Sequence, residues 1–564
     1  MWPLDAVQPL KSRQTDRSAA QGGLMKSPVG RFVIVAALVG LTCAGLSFPA
    51  GAASGGQSWP GVGTKQALAN PNCDPSTGRL KIKLYWAGPC VTAWPEGKNN
   101  GGSTSPGVTK DAIKVVYYDA AEDSAMTGPQ FPGTQDAVAL FEHFYETYGR
   151  KIDLVQVRAS GTDETAQRAD AVKIAAMEPF IVLDNPAAGG DVFDAAIARE
   201  KIISLGWNVT PEIGEAQAPY RWGNQPDDYA AQLVVAQALS KLAKGKAQYA
   251  GDKSMQSETR KIGVLHPDSI DYSLFKNTLK KAGVTLAADL EYPYVVSGNF
   301  SDATKYQDQL TTFISKLKSA GITTVALFAD NNLVAPLTKA ATAQDYSPEW
   351  FLTGFHYQDL DFFGRSFDQA QWAHAFGVMG LYPAEGDATS VSPQQQRLYQ
   401  WYFGSTRPTG SNQTYHYNAG REMGIFNYAL AAISLAGPKL TPQTFQKAMF
   451  AYPPSGGATS KFGAGFMQSW GKHGYYPWTD YTSFDDVTLG WWDPTAEGVS
   501  NAVGALPGTG KYRYVNNAQR YAPGHLPKTM PKFFDESASL LAFPGPADTN
   551  LPDYQCNGCP SAGS

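Results

Sequence analysis

The strongest constraint on the fold is a strand–helix alternation that begins near residue 107, breaks off near 220 and then starts again. Residues 113–118 are a β-branched and aromatic run. Turn formers follow, then a helical stretch with Ala137, Phe141, Phe144 and Tyr148 on one face, stopped by Gly149. Strands are predicted at 152–157, 180–183 and 202–205, and helices at 163–177, behind an acidic cap, and 191–199. Strands separated by single helices are joined by right-handed crossovers, which gives a parallel sheet covered on both faces. After the break Asp227 caps a helix carrying Ala231, Val234, Ala238 and Leu242, ended by Gly245. Strands at 262–265, 285–292, 324–328 and 349–352 then alternate with helices at 273–282, 309–320 and 333–343. The fold class read from this is α/β: two doubly wound parallel-sheet lobes joined by a hinge, with a cleft between them. Residues 419–436 and the Thr441-Pro442 cap-and-first-turn pair start a more helical stretch. Beyond Tyr475 the chain is rich in Trp, Tyr, Gly and Pro, with few long periodic runs.

Composition matters here for what it excludes. With 43% apolar and 17% charged residues, a 564-residue chain can bury more than one large core. A net charge of −4 lacks the basic face that displaces counterions from nucleic acid. Lys26 and Arg31 precede a mainly apolar run over 32–46 and the small-x-small site Ala50-Gly51-Ala52. This reads as a signal peptide over 1–52, with Met25 as a possible start, and places the mature chain outside the cytoplasmic membrane, secreted or in the cell envelope. An uncleaved anchor is the competing reading, disfavoured by the short apolar run. Lipidation at Cys43 lacks the usual leucine three residues earlier.

Cleavage after Ala52 leaves Cys73, Cys90, Cys556 and Cys559, an even number in an oxidising compartment. Three connectivities are open; Cys73–Cys90 is preferred, because it closes a loop of 18 residues counting both ends. Cys556-Asn557-Gly558-Cys559 has redox-motif spacing, but no helix after a strand is predicted there to lower a thiol pKa, so a structural disulfide is expected. Residues 53–106, rich in Gly, Pro, Ser and Asn, read as an extension ending in a flexible joint at 97–106.

Two successive doubly wound lobes in an exported chain suggest a ligand clamp. The segment Gly107-Val108-Thr109-Lys110-Asp111-Ala112-Ile113-Lys114-Val115 resembles the opening of type I periplasmic-binding-fold proteins, the leucine/isoleucine/valine-binding-like receptors of ABC importers. Residues 260–292, from Arg260-Lys261-Ile262-Gly263 through Asp271-Tyr272-Ser273 to Lys281-Ala282-Gly283-Val284, are similar to that family's second-lobe opening, and 300–354 continue it. Trp491-Trp492-Asp493-Pro494 and Arg520-Tyr521-Ala522-Pro523-Gly524 are similar to the C-terminal part of larger, actinobacterial-type members. The resemblance covers about 107–525 and implies three hinge crossings, near 220–223, 376–380 and 480–490. The expected division is a first lobe of 107–223 plus 380–483, a second of 224–379 plus 484–530, and a tail at 531–564. It implies a small-molecule ligand and an ABC permease in the membrane as partners, and no cofactor. A sensor for another membrane partner is the main alternative.

Ligands of open parallel sheets sit beyond the carboxyl ends of the strands. Six loops therefore frame the expected site: 119–128, 184–190, 206–210, 271–272, 330–332 and 355–357. They supply Asp119, Ser124, Asn185, Ala187, Ala188, Trp207, Asn208, Tyr272, Asp330, Asn331, Phe355 and His356. For each, a turn or helix-cap role is the plainer reading. Amino-acid receptors of the resembled family hold the ligand carboxylate with Ser or Thr in the two first-lobe loops and the ammonium with an acid in the sixth. This chain has Asp184-Asn185-Pro186-Ala187-Ala188, Trp207-Asn208 and Phe355-His356 there, and keeps only the covering aromatic, Tyr272. A buried, unpaired ammonium costs several kcal/mol, so a larger apolar, aromatic or sugar-like ligand is expected. The aromatics could equally be core, Trp222 above all.

No catalytic set stands out, and no enzyme activity is expected. There is no G-x-S-x-G elbow, no tight metal-ligand spacing among the seven histidines, and residues 505–512 mimic a phosphate loop but lack its first Gly and its Ser/Thr, so they read as an ordinary loop. Asp359/Asp361 and Asp485/Asp486 are neighbours in sequence only, which leaves a hydrolase on the same fold as a distant alternative.

Overall fold

The computed structural model describes residues 59–121, 131–185, 188–206, 209–224, 227–293, 307–354, 357–380, 393–404, 413–457, 467–483, 485–500, 507–542 and 551–560. The expected signal peptide lies outside them, as do Ser124, Ala187, Trp207, Asn208, Phe355 and His356. Among the described residues no helix is long and apolar enough to cross a membrane.

The chain enters through α1 (Lys65–Leu68) and a short antiparallel ribbon of β1 (Cys73–Asp74) and β2 (Arg79–Leu80), closed by the Cys73–Cys90 disulfide. Leu80, Ile82, Leu84 and Tyr85 are buried in the same core as the strand that starts at Ala112, so this extension is part of the first lobe. The expected flexible joint at 97–106 is instead pinned, and one buried cation does much of the pinning. The Arg150 guanidinium donates to the carbonyls of Asn100 (3.0 Å), Gly102 (3.1 Å), Thr109 (2.7 Å) and Pro438 (3.1 Å). Thr104 Oγ1 adds a bond to Leu440 O at 2.6 Å. A Pro/Gly/Asn-rich composition gives the chain freedom to turn, but a multidentate donor buried beside it removes that freedom.

The first sheet is built from β3 (Ala112–Asp119), α2 (Phe131–Phe144), β4 (Lys151–Arg158), α3 (Glu164–Ala175), β5 (Ile181–Asp184), α4 (Asp191–Arg199), β6 (Ile203–Gly206), α5 (Pro211–Gln217) and β7 (Arg221–Gly223). Its five strands are parallel, in the order β4-β3-β5-β6-β7. Gly107 of the opening motif has φ +71°, and a Cβ there would overlap the backbone of Pro179 and Phe180. The Asp163 carboxylate caps α3 through Thr165 N and Ala166 N, and Thr210 caps α5 ahead of Pro211. The helix expected to run on to Tyr148 stops at Phe144, because the Glu146 carboxylate accepts from Trp94 N (2.8 Å) and Tyr148 N (2.9 Å) and draws the chain off the helix axis.

The pattern repeats after the break with α6 (Asp228–Leu242), β8 (Ile262–Pro267), α7 (Ser273–Lys281), β9 (Ala288–Tyr292), α8 (Gln307–Ser319), β10 (Thr324–Leu327), α9 (Asn331–Ala343), β11 (Glu349–Leu352), α10 (Asp361–Gly364), α11 (Gln369–Trp372) and β12 (Ala375–Met379). These strands are again parallel, ordered β9-β8-β10-β11-β12. Counting strands from the start of each lobe, both sheets read 2-1-3-4-5. Central strands such as β8 are buried along their whole length, which is why they read as unbroken apolar runs.

The chain then returns to the first sheet. Of α12 (Pro393–Phe403), α13 (Gln413–Ala436) and α14 (Pro442–Ala451), the buried residues Tyr402, Phe426 and Phe445 join Tyr117 and Phe141 in one core. Thr441 and Thr444 form the reciprocal cap of α14. A last crossing brings β13 (Thr488–Val499), β14 (Pro507–Val515) and β15 (Ser539–Leu540) onto the free edge of β12 as antiparallel strands. The loop expected at 505–512 is thus largely strand. Its glycines admit neighbours: Trp492 packs on Gly510 and the Arg365 guanidinium on Gly508. The expected separate tail divides. Phe533 lies in the second lobe's core and β15 extends its sheet, whereas Cys556 and Cys559 pack against the first lobe's core.

Candidate ligand site at the carboxyl ends of the two sheets

In a 2-1-3-4-5 sheet the chain leaves strands 1 and 3 in opposite directions, and the crevice between them is where ligands bind. In the first lobe that point lies between β3 and β5, and there Asp119 and Asn185 meet. The buried Asp119 carboxylate accepts from Asn185 Nδ2 (3.0 Å), Ala120 N (2.8 Å) and Gln156 Nε2 (2.6 Å). Asn185 is itself fixed, its N–H donating to Tyr118 O at 2.9 Å and its carbonyl accepting from Ala188 N at 2.7 Å. Asp119, Asn185 and Ala188 therefore form one hydrogen-bonded unit. Beside it Asp184 is fully buried, with Gly189 so close that any Cβ would overlap its carboxylate. Further along this wall Arg221 pairs with Asp191 (2.6 Å) and Asp194 (3.5 Å), and Ser204 Oγ donates to Asp194. Burial raises the Asp194 pKa, and Arg221 and Ser204 oppose that rise.

In the second lobe the equivalent point lies between β8 and β10. Tyr272 stands just ahead of α7, stacked on His266 (centroids 4.2 Å apart) and edge-on to Phe328 (4.8 Å). A ring waiting to cover a ligand would be open to water in the empty protein, but Tyr272 is 1% exposed, with flanking aromatics closed over it. His266 Nε2 lies 2.9 Å from Asp289 Oδ1, which fixes the ring beneath Tyr272. Asp330 caps α9 through Asn332 N (2.8 Å) and Leu333 N (3.1 Å), and Asn331 is that helix's first residue. For Asp330 the plainer helix-cap reading is what is seen. Trp222 is likewise core, fully buried against Phe445, Phe450 and Tyr481.

The chain crossings between the lobes lie at the carboxyl end of the first sheet, where Gly223 N donates to Tyr481 O. Helices of crossover units run antiparallel to their strands, so the N-termini of α4, α5 and α6 all lie at this end. Burial pushes the pKa of Tyr229, on α6 of the second lobe, up to about 12, and the Glu212 carboxylate on α5 of the first adds to the rise. Asp228, the first residue of α6, has its pKa pushed up to about 7, by burial and then by Asp191 at the start of α4. By element order the chain passes between the lobes three times, between β7 and α6, between β12 and α12, and ahead of β13; residues 381–392 of the second passage lie outside the described residues. The first and third are tied by Gly223 N donating to Tyr481 O at 2.8 Å. Around them lies a set of buried acids that sequence reading did not assign to the hinge. Asp485 has its pKa raised well above the ordinary value by burial and by the neighbouring Asp480. Asp227 is raised well above its ordinary value by burial and by the same Asp480. Asp486 is paired to Arg520 at 2.9 Å.

Of the two adjacent carboxylate pairs, Asp361 holds Lys511 Nζ (2.9 Å) and Tyr512 N (2.8 Å), and Asp486 holds Arg520 (2.9 Å). A hollow of about 780 Å³ lies elsewhere, between the extension and the end of α2, walled by Trp94, Lys98, Glu142 and His143.

No protein-family profile and no curated protein matches the chain. Solved structures do. One is a leucine-, isoleucine-, valine-, threonine- and alanine-binding protein from Brucella ovis in a closed conformation (14% identity, 75% of this chain and 98% of that one, TM-score 0.47). Another is an ABC-transporter solute-binding protein from R. palustris in complex with 4-hydroxybenzoate (14%, 71% and 97%, TM-score 0.46). A third is a periplasmic binding protein from Burkholderia mallei (12%, 77% and 99%, TM-score 0.44). The fold reading rests on the strand orders and crossovers above.

Proposed function

We propose that this chain is a two-lobed solute-binding protein, working outside the cytoplasmic membrane, that closes on a small molecule and delivers it to an ABC permease. The observation that carries the reading is the presence of two 2-1-3-4-5 sheets in one chain, with Asp119 and Asn185 at the switch point of one and Tyr272 and Asp330 at that of the other. Closure of such lobes is stabilised only to the extent that ligand contacts the closed form better than the open one. Chemistry at the first-lobe wall bears on the ligand. A ligand carboxylate brought there would meet Asp119 and Asp184 where the resembled amino-acid receptors offer hydroxyls. The proposed ligand is therefore not a simple α-amino acid but a neutral or cationic molecule with hydrogen-bond donors and an apolar face for the aromatics. Mass spectrometry of whatever small molecule leaves the purified protein on denaturation tests this directly. Calorimetric titration with leucine, isoleucine and valine should give no heat of binding, and micromolar affinity for any of them would refute the ligand class. With the identified ligand, small-angle scattering should show compaction; an equally extended protein when saturated would refute the clamp.

A further inference from the structure

At the far side of the first lobe the C-terminal turn docks on the end of α2. His143, in that helix's last turn, has Nε2 3.0 Å from the carbonyl of Asn557, between the two cysteines. The ligand atoms of His143, Cys556 and Cys559 all lie within 4.8 Å of one another, and all three residues are half-buried. Gly558, at φ +75°, lets the turn fold against the imidazole. In the structure the two sulfurs are joined. The turn is nevertheless held in place by bonds that do not involve sulfur. Trp401 Nε1 donates to Tyr554 O at 2.7 Å, Tyr554 OH donates to Asp74 Oδ2 at 2.8 Å, and Lys83 pairs with Asp553. Opening the disulfide would leave both thiols beside His143.

We infer that Cys556, Cys559 and His143 form a binding site for a thiophilic divalent transition-metal ion, zinc by preference, whenever the cysteine pair is reduced. Two thiolates and an imidazole are a donor set that suits such an ion, and hard ions such as magnesium and calcium take oxygen donors instead. The two steps balance separately. A phosphine with one water reduces the disulfide to two thiols and leaves as the phosphine oxide; two equivalents of an external thiol do the same, supplying both hydrogens and leaving as their own disulfide. The thiols then lose one proton each as the ion binds, leaving the two thiolates to cancel its charge and a fourth position for water. Exposure makes the switch selective, because Cys73 and Cys90 are 2% and 1% exposed and shielded from a mild reductant.

Cobalt(II) titration of the full chain, reduced with a phosphine, tests the inference. One equivalent should bring thiolate-to-cobalt charge-transfer absorption and the visible bands of four-coordinate cobalt, both displaced by zinc. Oxidised protein should show neither. The double variant C556S/C559S should also show neither under the same reduction, which excludes the other cysteines. His143→Ala should weaken cobalt binding by at least the roughly 10–100-fold that losing an outer-sphere partner alone costs, with altered visible bands. Circular dichroism of each variant monitors the fold, and the oxidised–reduced comparison in wild type needs no substitution. A reduced wild type without the charge-transfer absorption overturns the site. Unchanged affinity and spectrum in a folded His143→Ala variant overturn the role of histidine.

Discussion

Asp228 offers a quantitative test of how the lobes are coupled. It is the first residue of α6, 8% exposed, and its carboxyl is pushed up to about 7 by burial and then by Asp191 across the crossing. In the unfolded chain the same group ionises near 3.8. Below that value both states hold the proton and the group contributes nothing. Between about 3.8 and 7 the folded protein keeps a proton that the unfolded chain has lost, so stability falls as pH rises and levels off above about 7. The span of about three pH units, at about 1.4 kcal/mol each, sets the loss at about 4 kcal/mol. A carboxylate in the first turn of a helix recovers about 0.3–1 kcal/mol from the helix dipole, leaving about 3 kcal/mol. Asp228→Asn removes the titration and keeps the shape. Urea unfolding should find the variant and wild type alike near about pH 4 and the variant more stable by about 3 kcal/mol above about pH 8. Scattering of the ligand-free wild type should also show expansion over that range, as ionised Asp228 meets Asp191, and the variant should not expand. Stability curves that run parallel at all pH values would refute the argument.

Other perturbations separate structural from binding roles. Arg150→Ala strands four backbone carbonyls. It should cost about 2–4 kcal/mol and open 97–106 to limited proteolysis, and Arg150→Lys should not restore the loss; an unchanged digestion pattern would count against the pinning. Tyr272→Ala should lower the stability of the ligand-free protein by about 3–5 kcal/mol, because its ring is packed between His266 and Phe328; a melting temperature equal to that of wild type would restore the water-open reading. Thiol labelling of the denatured, unreduced protein should find Cys73, Cys90, Cys556 and Cys559 all blocked, and loss of the first bridge should cost about 3 kcal/mol; two labelled thiols would contradict this.

The parallel cores were legible because strands such as β5 and β8, buried on both faces, are written as short apolar runs between capped helices. The Asp163, Asp227 and Thr441 caps were legible for the same local reason, a side-chain oxygen ahead of a periodic run. The β13–β14 hairpin was not. Its strands bury Trp491 and Trp492 on opposite faces, carry Pro494 beside a register shift between Asp493 and Glu497, and use Gly508 and Gly510 to admit neighbours, so neither alternation nor turn spacing survives. Loops at strand ends could be placed, since topology alone puts Asp119, Asn185, Tyr272 and Asp330 there. What their side chains do could not. Tyr272 is covered in part by Phe328, far from it in sequence, and the hinge acids are drawn together from residues 227 and 480–486. His143 and the C-terminal cysteines are over 400 residues apart, beyond any spacing rule.

The hinge acids bear on how a binder of this form could be tuned. A clamp needs crossings that bend without unfolding, and buried uncharged polar groups satisfy both demands, because they stay hydrogen-bonded while small rotations exchange partners. Asp480 accepts from Thr482 N at 2.9 Å, and Asp485 accepts from Ser469 Oγ at 2.6 Å. Burial and Asp480 both oppose ionisation of Asp485. Asp227 adds a third carboxyl whose ionisation Asp480 opposes. Each further charge at this junction would repel the others in a medium that screens poorly. Ionisation here and at the Asp191–Asp228 contact therefore pushes in one direction, away from the packed arrangement of the crossings. If the lobes close on a ligand as proposed, these acids would make closure a proton-linked equilibrium.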